Sequence, residues 1–443
     1  MVYKEEVSLT SARIVPIGIT NFRNQHNTFG IKETDRFGHI YCIGKTGAGK
    51  SNLLLSMAIS DIQQGKGICL IDPHGDIAEN ISNYVPVERI KDVVYFDATD
   101  FDFPIAYNPL ENLDGTEHHL IASGLIATFK KIWADSWGPR LEYILRYALL
   151  TLLDYPGATL LDIQPLLTDY QFRSSVLRHV RNDHILAFWQ MEFDKYSPAL
   201  KAEAISPILN KVGLFSASTP LRNIVGQREG KVHIREVMDG GKILICNLAK
   251  GTIGEDASTI LGSMLVTAIQ LAAMKRASIP EHERRPFYLY VDEMHSFVSL
   301  SFADILSEAR KYKLALFLTH QYIEQLHEKI RSAIFGNVGT VISFRVGAED
   351  AKVLAQEFHP VFTEDDLINL PRYNIYIKLM IDGATSKPFS AQTNPINAMG
   401  WHREGEVSNY SRASFARPKR EVEQTMLNRH ALHDKEDSTT LFS

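Results

Sequence analysis

One fourteen-residue stretch constrains the fold more than any other feature of this sequence. Residues 41–54 read YCIGKTGAGKSNLL, in which a short apolar run leads into a glycine-rich turn, a lysine, a serine and a helical run. A strand, the spacing G-x-x-x-x-G-K-S and a helix together form the P-loop pattern. The glycines let backbone N–H groups turn inward around a phosphate, and the start of the helix adds partial positive charge. We therefore predict a nucleotide cradle formed by Gly44, Lys45, Thr46, Gly47, Ala48, Gly49, Lys50, Ser51 and Asn52.

Two residues of this cradle have predicted chemical roles. Lys50 is expected to reach the β- and γ-phosphates, and Ser51 is expected to hold Mg²⁺ through its hydroxyl. The motif alone indicates only that the chain binds a nucleoside triphosphate. The class of reaction depends on residues elsewhere in the chain.

Apolar runs alternate with helical patterns over much of the sequence. Strands are predicted at 39–44, 67–73, 93–98, 242–248, 287–293, 314–320, 340–346 and 374–382. Helices are predicted from Lys50 to Gln64, over 255–277 and over 301–312. This alternation indicates an α/β core with a doubly wound, mainly parallel sheet.

The pattern divides the chain into five segments. Residues 1–36 form a strap with a strand or two, and 37–115 and 239–395 form the two parts of the core. Residues 116–238 carry apolar residues at helical spacing broken by prolines, which predicts an all-helical insertion. Residues 396–443 form a partly disordered tail, in which HDKEDSTT (433–440) is the disordered part. Its segment 411–430 is expected to dock on a neighbouring subunit or a partner.

Composition narrows the class of protein. The chain has 443 residues, 45% of them hydrophobic, and a net charge of −5, which argues against a uniformly basic coat for nucleic acid but allows a local basic channel. Its three cysteines lie in apolar runs without the spacing of a zinc site. The sequence shows no signal peptide and no run of about 18 apolar residues. We expect a cytoplasmic protein, with recruitment to a membrane complex left open.

A second acidic motif points to hydrolysis. FYLYVDE (287–293) is an apolar strand that ends in Asp292 and Glu293. In a P-loop protein, Asp292 is expected to lie on the metal side and Glu293 to polarise a water for attack on the γ-phosphate. The alternative is that both residues only end the strand. A built-in glutamate base favours an ATP hydrolase over a GTPase switch, and no acceptor site for a small-molecule kinase is visible.

Three further polar residues lie near strand ends. Gln321 follows the run LALFLTH and could contact the γ-phosphate, or could be an ordinary helix-start residue. Arg310 precedes that run and Arg345 follows the next one. Either arginine could act as an arginine finger, and the residues alone favour two satisfied surface cations.

The combined motifs resemble a known family. GKTGAGKS with LIDPHGD (70–76), VDE (291–293), EARKYKLALFLTHQ (308–321) and FRVGAEDAKVLAQEF (344–358) is similar to the FtsK–HerA superfamily of P-loop ATPases. Within it, residues 37–395 resemble the DNA-binding domain of TraD/TraG-like type IV secretion coupling proteins and their HerA-like relatives. The resemblance implies a RecA-like core, and the insertion at 116–238 resembles the all-alpha domain of coupling proteins. Neither the membrane helices typical of coupling proteins nor the β-barrel typical of HerA is found in the sequence.

The resemblance also implies roles for individual residues. Gly44, Gly49, Lys50 and Ser51 become the cradle for ATP and Mg²⁺, Asp292 the metal-side carboxylate and Glu293 the catalytic base. Gln321 becomes the sensor of the γ-phosphate. Arg310 becomes the first candidate for a trans-acting finger, and Arg345 the second. Asp72 and Asp76 of the DPHGD signature either lie near the nucleotide or cap the next helix.

The transported substrate is less well defined. The resemblance implies a homo-oligomeric, hexameric ring that moves DNA through its channel, whereas residues 116–238 contain 14 Lys and Arg against 12 Asp and Glu. Phosphate contacts are conceivable at FKKIW (129–133) and RHVRND (178–183). The rivals to a DNA translocase are a protein-handling or scaffold ATPase of a secretion apparatus and a HerA-like defence ATPase with a nuclease partner.

Overall fold

The structure is a computed structural model that describes residues 14–111, 118–396 and 400–428. The chain divides into two compact units. Of the described residues, the first contains 14–95, 235–247, 272–396 and 400–408, and the second contains 96–111, 118–234, 248–271 and 409–428. The five segments predicted above stay a prediction, and the predicted disorder at 433–440 lies outside the described residues.

The described residues form thirteen strands, eleven of them in one sheet. Their bounds are β1 (Ile14–Thr20), β2 (Thr28–Lys32), β3 (Ile40–Ile43), β4 (Gly67–Asp72), β5 (Val93–Asp97), β6 (Ile243–Asn247), β7 (Phe287–Val291), β8 (Leu314–His320), β9 (Thr340–Ser343), β10 (Asn374–Lys378), β11 (Met380–Ile381), β12 (Ala384–Thr385) and β13 (Phe389–Thr393). The order in the large sheet is β2-β1-β13-β10-β9-β3-β8-β7-β4-β6-β5, and β11 pairs with β12 separately.

The helices of the described residues are numbered in chain order. They are α1 (Glu33–Arg36), α2 (Lys50–Gln63), α3 (Asp76–Ser82), α4 (His118–Ile132), α5 (Pro139–Leu153), α6 (Ile163–Thr168), α7 (Tyr170–Leu177), α8 (Asp183–Ala187), α9 (Pro198–Ala217), α10 (Thr219–Val225), α11 (Ile234–Gly240), α12 (Lys250–Ile253), α13 (Glu255–Lys275), α14 (Phe302–Glu308), α15 (Glu328–Asn337), α16 (Ala348–Phe358), α17 (Glu364–Ile368) and α18 (Glu404–Phe415).

The middle of the sheet is parallel. Strands β6, β4, β7, β8, β3 and β9 are neighbours in that order, and each neighbouring pair is parallel. Every residue of these six strands is buried, as expected for strands covered on both faces. The predicted α/β P-loop core with a mainly parallel sheet is confirmed.

Beyond β9 the sheet becomes antiparallel. β10 pairs antiparallel with β9 and β13, β13 pairs antiparallel with β1, and β1 pairs antiparallel with β2. The strand predicted at 374–382 therefore runs against its parallel neighbours and ends at Lys378, and β13 was not predicted. The burial along β10 alternates, so a half-buried strand replaces the expected continuous apolar run.

Helices dominate the second unit. Within residues 118–234 the described regular elements are all helical, and aromatic rings fill part of the core. Trp189 is fully buried and its ring lies 4.8 Å from that of Phe193, while Phe129 and Phe215 are 5.6 Å apart. The indole N–H of Trp189 donates to Thr151 Oγ1, so its polar atom is satisfied.

Segment 411–428 packs against its own chain. Residues 419–428 are helical and belong to the second unit. Arg417 donates to Gln227 Oε1 at 2.9 Å, the backbone N–H of Lys419 donates to Asp102 O at 2.8 Å, and Asn223 donates to Glu423. These hydrogen bonds within the chain engage polar groups of the segment that could otherwise bind a partner. Docking of this segment on a neighbouring subunit stays a prediction.

One helix in the described residues is long and apolar enough to cross a membrane. Residues Glu255–Ser278 include a window with a mean hydropathy of 1.6, and 72% of that window is buried inside the protein. Buried core helices have the same length and composition.

Candidate active site

The P-loop leaves β3 and enters α2 through residues 44–49. Gly47 has φ +74° and Gly49 has φ +128°, conformations that residues with a Cβ rarely adopt. At Gly44 an added Cβ would lie 2.6 Å from Phe344 Cβ, so only glycine fits there. The Lys45 N–H donates to Arg345 O at 2.8 Å, which fixes the loop to the segment after β9. The sequence thus builds an open turn of backbone N–H groups at the start of a helix.

Lys50 is buried beneath this turn. Its Nζ donates to Gly44 O at 2.6 Å and to Lys45 O at 3.3 Å. These two carbonyls hold the ammonium inside the curve of the loop. A phosphate bound in the loop would lie beside this charge.

The remaining cradle residues divide into two groups. Thr46 and Ser51 are exposed at the mouth of the loop, and Lys45 is partly exposed. Asn52 instead donates from Nδ2 to Asn394 O at 3.2 Å, so its amide group binds the segment after β13. Ser51 is therefore free to meet a ligand, whereas Asn52 is held by the protein in the structure as it stands.

Asp292 is buried at the end of β7. It accepts a hydrogen bond from the Thr319 hydroxyl, which lies near the end of β8. The pKa of Asp292 is raised to about 6, because burial and the charges of Asp72 and Glu293 outweigh the lowering by the Thr319 hydrogen bond and the charge of Lys50. A carboxylate held in this way gains from a bound cation, because the cation offsets both the burial and the neighbouring negative charges.

Glu293 has a strained backbone. Its φ is 49° and its ψ 54°, the left-handed region, and its N–H donates to Thr319 Oγ1 at 3.2 Å. Its Oε2 is buried and accepts no hydrogen bond from the described residues, and His295 Nδ1 lies 3.5 Å away. Strain at a non-glycine residue and an unsatisfied buried carboxylate oxygen are both typical of functional sites.

Gln321 joins the two sides of the site. Its Nε2 donates to Glu293 Oε1, and its Oε1 accepts from the Thr46 hydroxyl at 2.9 Å. The amide thus bridges the P-loop and the acidic pair. The structure places the sequence-predicted residues Lys50, Asp292, Glu293 and Gln321 together at the carboxyl edge of the parallel strands, where α/β proteins bind ligands.

Of the two interpretations of DPHGD, helix capping is confirmed for Asp72, and proximity to the nucleotide stays a prediction. Asp72 accepts hydrogen bonds from the N–H groups of His74, Ile77 and Ala78, so it caps α3. Its negative charge also contributes to the raised pKa of Asp292, so it lies near the acidic pair. Asp76 is exposed in the first turn of α3.

The two arginines lie at opposite ends of the parallel strands. Arg345 is exposed just after β9, and its carbonyl accepts from the P-loop. Arg310 is exposed before β8, and the seven residues of that strand separate it from Gln321, a distance of about 23 Å. Neither guanidinium forms an ion pair with a residue in the described part of the chain. Arg310 is therefore too far to reach its own P-loop.

His295 is a site residue that sequence reasoning missed. Besides its approach to Glu293, its ring centroid lies 5.3 Å from that of His320, which is fully buried and 3.3 Å from the Tyr41 hydroxyl. Burial, together with the charges of His295 and Lys50, lowers the pKa of His320 to about 3. The only sequence signal was the position of His295, two residues after the acidic pair.

The residues fit a nucleotide with Mg²⁺. The glycine turn, the Lys50 ammonium and the N-terminus of α2 suit phosphate oxygens. The described residues contain no group of three or more His, Cys, Asp or Glu side chains that could hold a metal by themselves. A P-loop site needs no such group, because Mg²⁺ there takes one or two protein oxygens together with phosphate oxygens and water.

Comparisons with known proteins agree with this fold. No family model matches the sequence, and no curated protein matches it. Among solved structures, the bacterial conjugative coupling protein TrwBdeltaN70 is similar with a TM-score of 0.61 and 15% identity, over 87% of this chain and 90% of that one. TrwB in complex with ADP and Mg²⁺ is similar with a TM-score of 0.60 and 15% identity, over 85% and 90% of the two chains.

A third structure extends the likeness. VirB4 of Thermoanaerobacter pseudethanolicus is similar with a TM-score of 0.58 and 15% identity, over 86% of this chain and 97% of that one. At this identity the likeness is one of fold. The resemblance stated from the motifs is confirmed at that level.

Proposed function

We propose that this chain is an Mg²⁺-dependent ATP hydrolase that works as a motor of a secretion or conjugation system. The observation that supports hydrolysis is the position of Glu293 opposite the P-loop, with a buried Oε2 that accepts no hydrogen bond from the described residues and with Gln321 bridging the two sides. The fold shared with TrwB and VirB4 supports the type of system.

The mechanism follows from the positions of the side chains. Lys50 would exchange its bonds to Gly44 O and Lys45 O for phosphate oxygens. Ser51 and Asp292 would hold Mg²⁺, which supplies positive charge to the β- and γ-phosphate oxygens. Glu293 would accept the proton of the attacking water at Oε2, the oxygen that accepts no hydrogen bond from the described residues. Gln321 would release Thr46 and Glu293 and turn towards the γ-phosphate.

Phosphate release with and without Mg²⁺ tests the hydrolase. The wild-type chain should release phosphate only with Mg²⁺, and Lys50→Ala should lose nucleotide binding or turnover. Chelation that leaves the rate unchanged would contradict the proposal.

The finer proposal is a DNA translocase that acts as a homo-oligomeric ring, with six subunits as the expected number. Arg178 and Arg181 in RHVRND are exposed and form no ion pair within the described residues, which suits contact with phosphate. FKKIW is less suited, because Lys130 pairs with Glu142 at 3.1 Å and burial lowers the pKa of Lys131 to about 7. A membrane complex or a nuclease is the expected partner protein.

DNA-stimulated turnover distinguishes this motor from a protein-handling ATPase. Single- and double-stranded DNA should each be tested, since the chain does not specify which it grips. Arg178→Ala with Arg181→Ala should weaken stimulation and reduce the salt dependence of DNA binding by about two phosphate contacts. Lys130→Ala is the control, because it removes a positive charge that is already paired with Glu142. Turnover that neither form of DNA raises would favour the protein-handling alternative.

A further inference from the structure

The loop before β10 lies beside the P-loop. β10 runs antiparallel to β9, and Tyr376 pairs with Ser343, the last residue of β9. The residues that precede β10 therefore lie at the carboxyl edge of the parallel strands. This position places Arg372 and Tyr373 at the edge that carries Lys50.

Tyr373 contacts the P-loop directly. Its N–H donates to Ala48 O at 2.9 Å, and a Cβ added to Gly49 would lie 2.9 Å from Tyr373 Cδ1. Its carbonyl accepts from the Thr393 N–H at 2.9 Å, so the end of β13 holds it on the other side. The residue has φ +66°, a strained conformation for a bulky side chain. The side chain is nevertheless partly exposed.

Arg372 places a positive charge at the same point. Its guanidinium carbon lies 4.6 Å from the centre of the Tyr373 ring. The side chain is exposed, and among the described residues no acid forms an ion pair with it. The pair thus presents a cation and an aromatic ring next to a phosphate loop.

The strand order fixes the direction in which a nucleotide would extend. Glu293 and Gln321 follow β7 and β8, which lie on one side of β3. A triphosphate that points its γ-phosphate at them must extend its nucleoside towards the other side of β3, where β9 and β10 lie. Arg372 and Tyr373 lie on that side.

We propose that Arg372 and Tyr373 bind the nucleoside end of the ATP, an inference that rests on the proposed function. A guanidinium plane and a ring face stack on the flat face of a base, and such stacking tolerates any base. The pair therefore adds affinity for a nucleoside triphosphate over inorganic phosphates without selecting adenine over guanine.

The test compares Mg·ATP, Mg·GTP and Mg·tripolyphosphate by calorimetry on the full chain. Arg372→Ala removes the cation, and Tyr373→Asn removes the ring while keeping a residue that tolerates positive φ. Each should weaken ATP and GTP binding about tenfold and leave tripolyphosphate binding unchanged. Arg23→Ala is the matched control, because Arg23 is also exposed, has φ +53° and lies over a ring, that of Phe22 at 5.1 Å. Phe22, the ring beneath Arg23, lies 6.1 Å from the ring of Phe362, so this pair stacks away from the P-loop glycines and no change is expected.

The outcomes separate this inference from the proposed function. Wild-type protein that binds none of the three ligands would refute the nucleotide site itself. Binding of ATP that Arg372→Ala leaves unchanged would refute the inference alone. Equal weakening of ATP and tripolyphosphate would show that the loop only shapes the P-loop, and a loss confined to ATP or to GTP would refute the stacking contact. Arg372 is exposed, so its variant still tests the inference if Tyr373→Asn fails to fold.

Discussion

The parallel and antiparallel parts of the sheet differ in where their polar residues lie. From β6 to β9 the strands are buried throughout, and polar groups such as Asp292, His320 and Gln321 occur where the strands end. From β10 to β2 buried and accessible residues mix within each strand. The first part supplies the groups that we propose for phosphate chemistry. The second part supplies, through the reversed direction of β10, the loop that we place at the nucleoside.

The direction of a strand determines which of its flanking residues lie at the P-loop edge. In the parallel part only residues that follow a strand reach the P-loop edge. In the antiparallel part a residue that precedes a strand reaches it, as Tyr373 does. If this division is correct, variants of the acidic and arginine residues of the parallel part should affect turnover, and variants of the loop before β10 should affect binding.

The largest effect is expected at an arginine of the parallel part. Arg310→Ala should bind ATP normally and assemble, yet lose turnover by about 10³–10⁵-fold, because a neighbouring copy would supply this charge to the departing phosphate. Arg345→Ala is the matched variant on the P-loop edge. Rings mixed from Arg310→Ala and Lys50→Ala subunits should recover part of the activity.

Two results would contradict this assignment. Full activity of Arg310→Ala would move the role to Arg345. Mixed rings that stay inactive, with subunit exchange confirmed, would favour an arginine that acts within its own subunit or a strictly concerted ring.

The next effect is expected at the strained glutamate. Glu293→Gln should keep nucleotide binding and lower kcat by about 10²–10⁴-fold, because the shape of the site remains while the proton acceptor is lost. Asp304→Asn, which neutralises an exposed acid in α14, should leave kcat unchanged. A native rate for Glu293→Gln would mean that the base lies elsewhere.

A third variant measures how closely the antiparallel part supports the P-loop. Gly49→Ala forces a Cβ to within 2.9 Å of ring carbons of Phe344 and Tyr373 at φ +128°, and should lower the free energy of unfolding by about 2 kcal/mol. Gly65→Ala, at φ +78° with no atom within 4 Å of the added Cβ, reports backbone strain alone. Equal losses in urea denaturation for the two variants would show that the rings yield freely.

The smallest effect concerns acid stability of the parallel part. The pKa of His39, which precedes β3, is lowered to about 4, because burial and the charge of Arg310 outweigh the raising effect of a hydrogen bond to Leu306. His39 therefore binds a proton below about pH 6.5 in the unfolded chain, but only below about pH 4 in the folded chain. Because the unfolded chain binds more protons in this range, stability falls as the pH falls. From pH 7.5 to 5.5 this one group should account for about 1 kcal/mol of lost stability.

His39→Asn tests this expectation, since asparagine tolerates the φ of +62°. The variant should lose about 1 kcal/mol less than the wild type over the same pH range in urea denaturation. His282→Asn is the control, because that side chain is 82% exposed. Identical pH profiles for wild type and His39→Asn would place the acid sensitivity in other groups.

The sequence predicted the parallel part well for a physical reason. Its strands are continuous apolar runs, and polar residues at their ends stand out, which made Asp292, Glu293 and Gln321 the predicted site residues. The direction of β10 and the existence of β13 were missed, because mixed polar and apolar residues such as FSAQT carry no sign of direction. His295, Arg372 and Tyr373 were missed because their positions depend on contacts between segments distant in sequence.

The order of the strands in the sheet also determines when, during synthesis, each strand can pair with its neighbours. β3 pairs with β8 and β9, so the P-loop strand has no neighbour until residue 320 has left the ribosome, and lacks the second until residue 343 has. At about 5–20 residues per second, the roughly 300 intervening residues take about 15–60 s. For most of that time β3 presents an unpaired apolar strand, a hazard for aggregation. The nascent chain is therefore expected to need a chaperone until β3 has paired with β8 and β9.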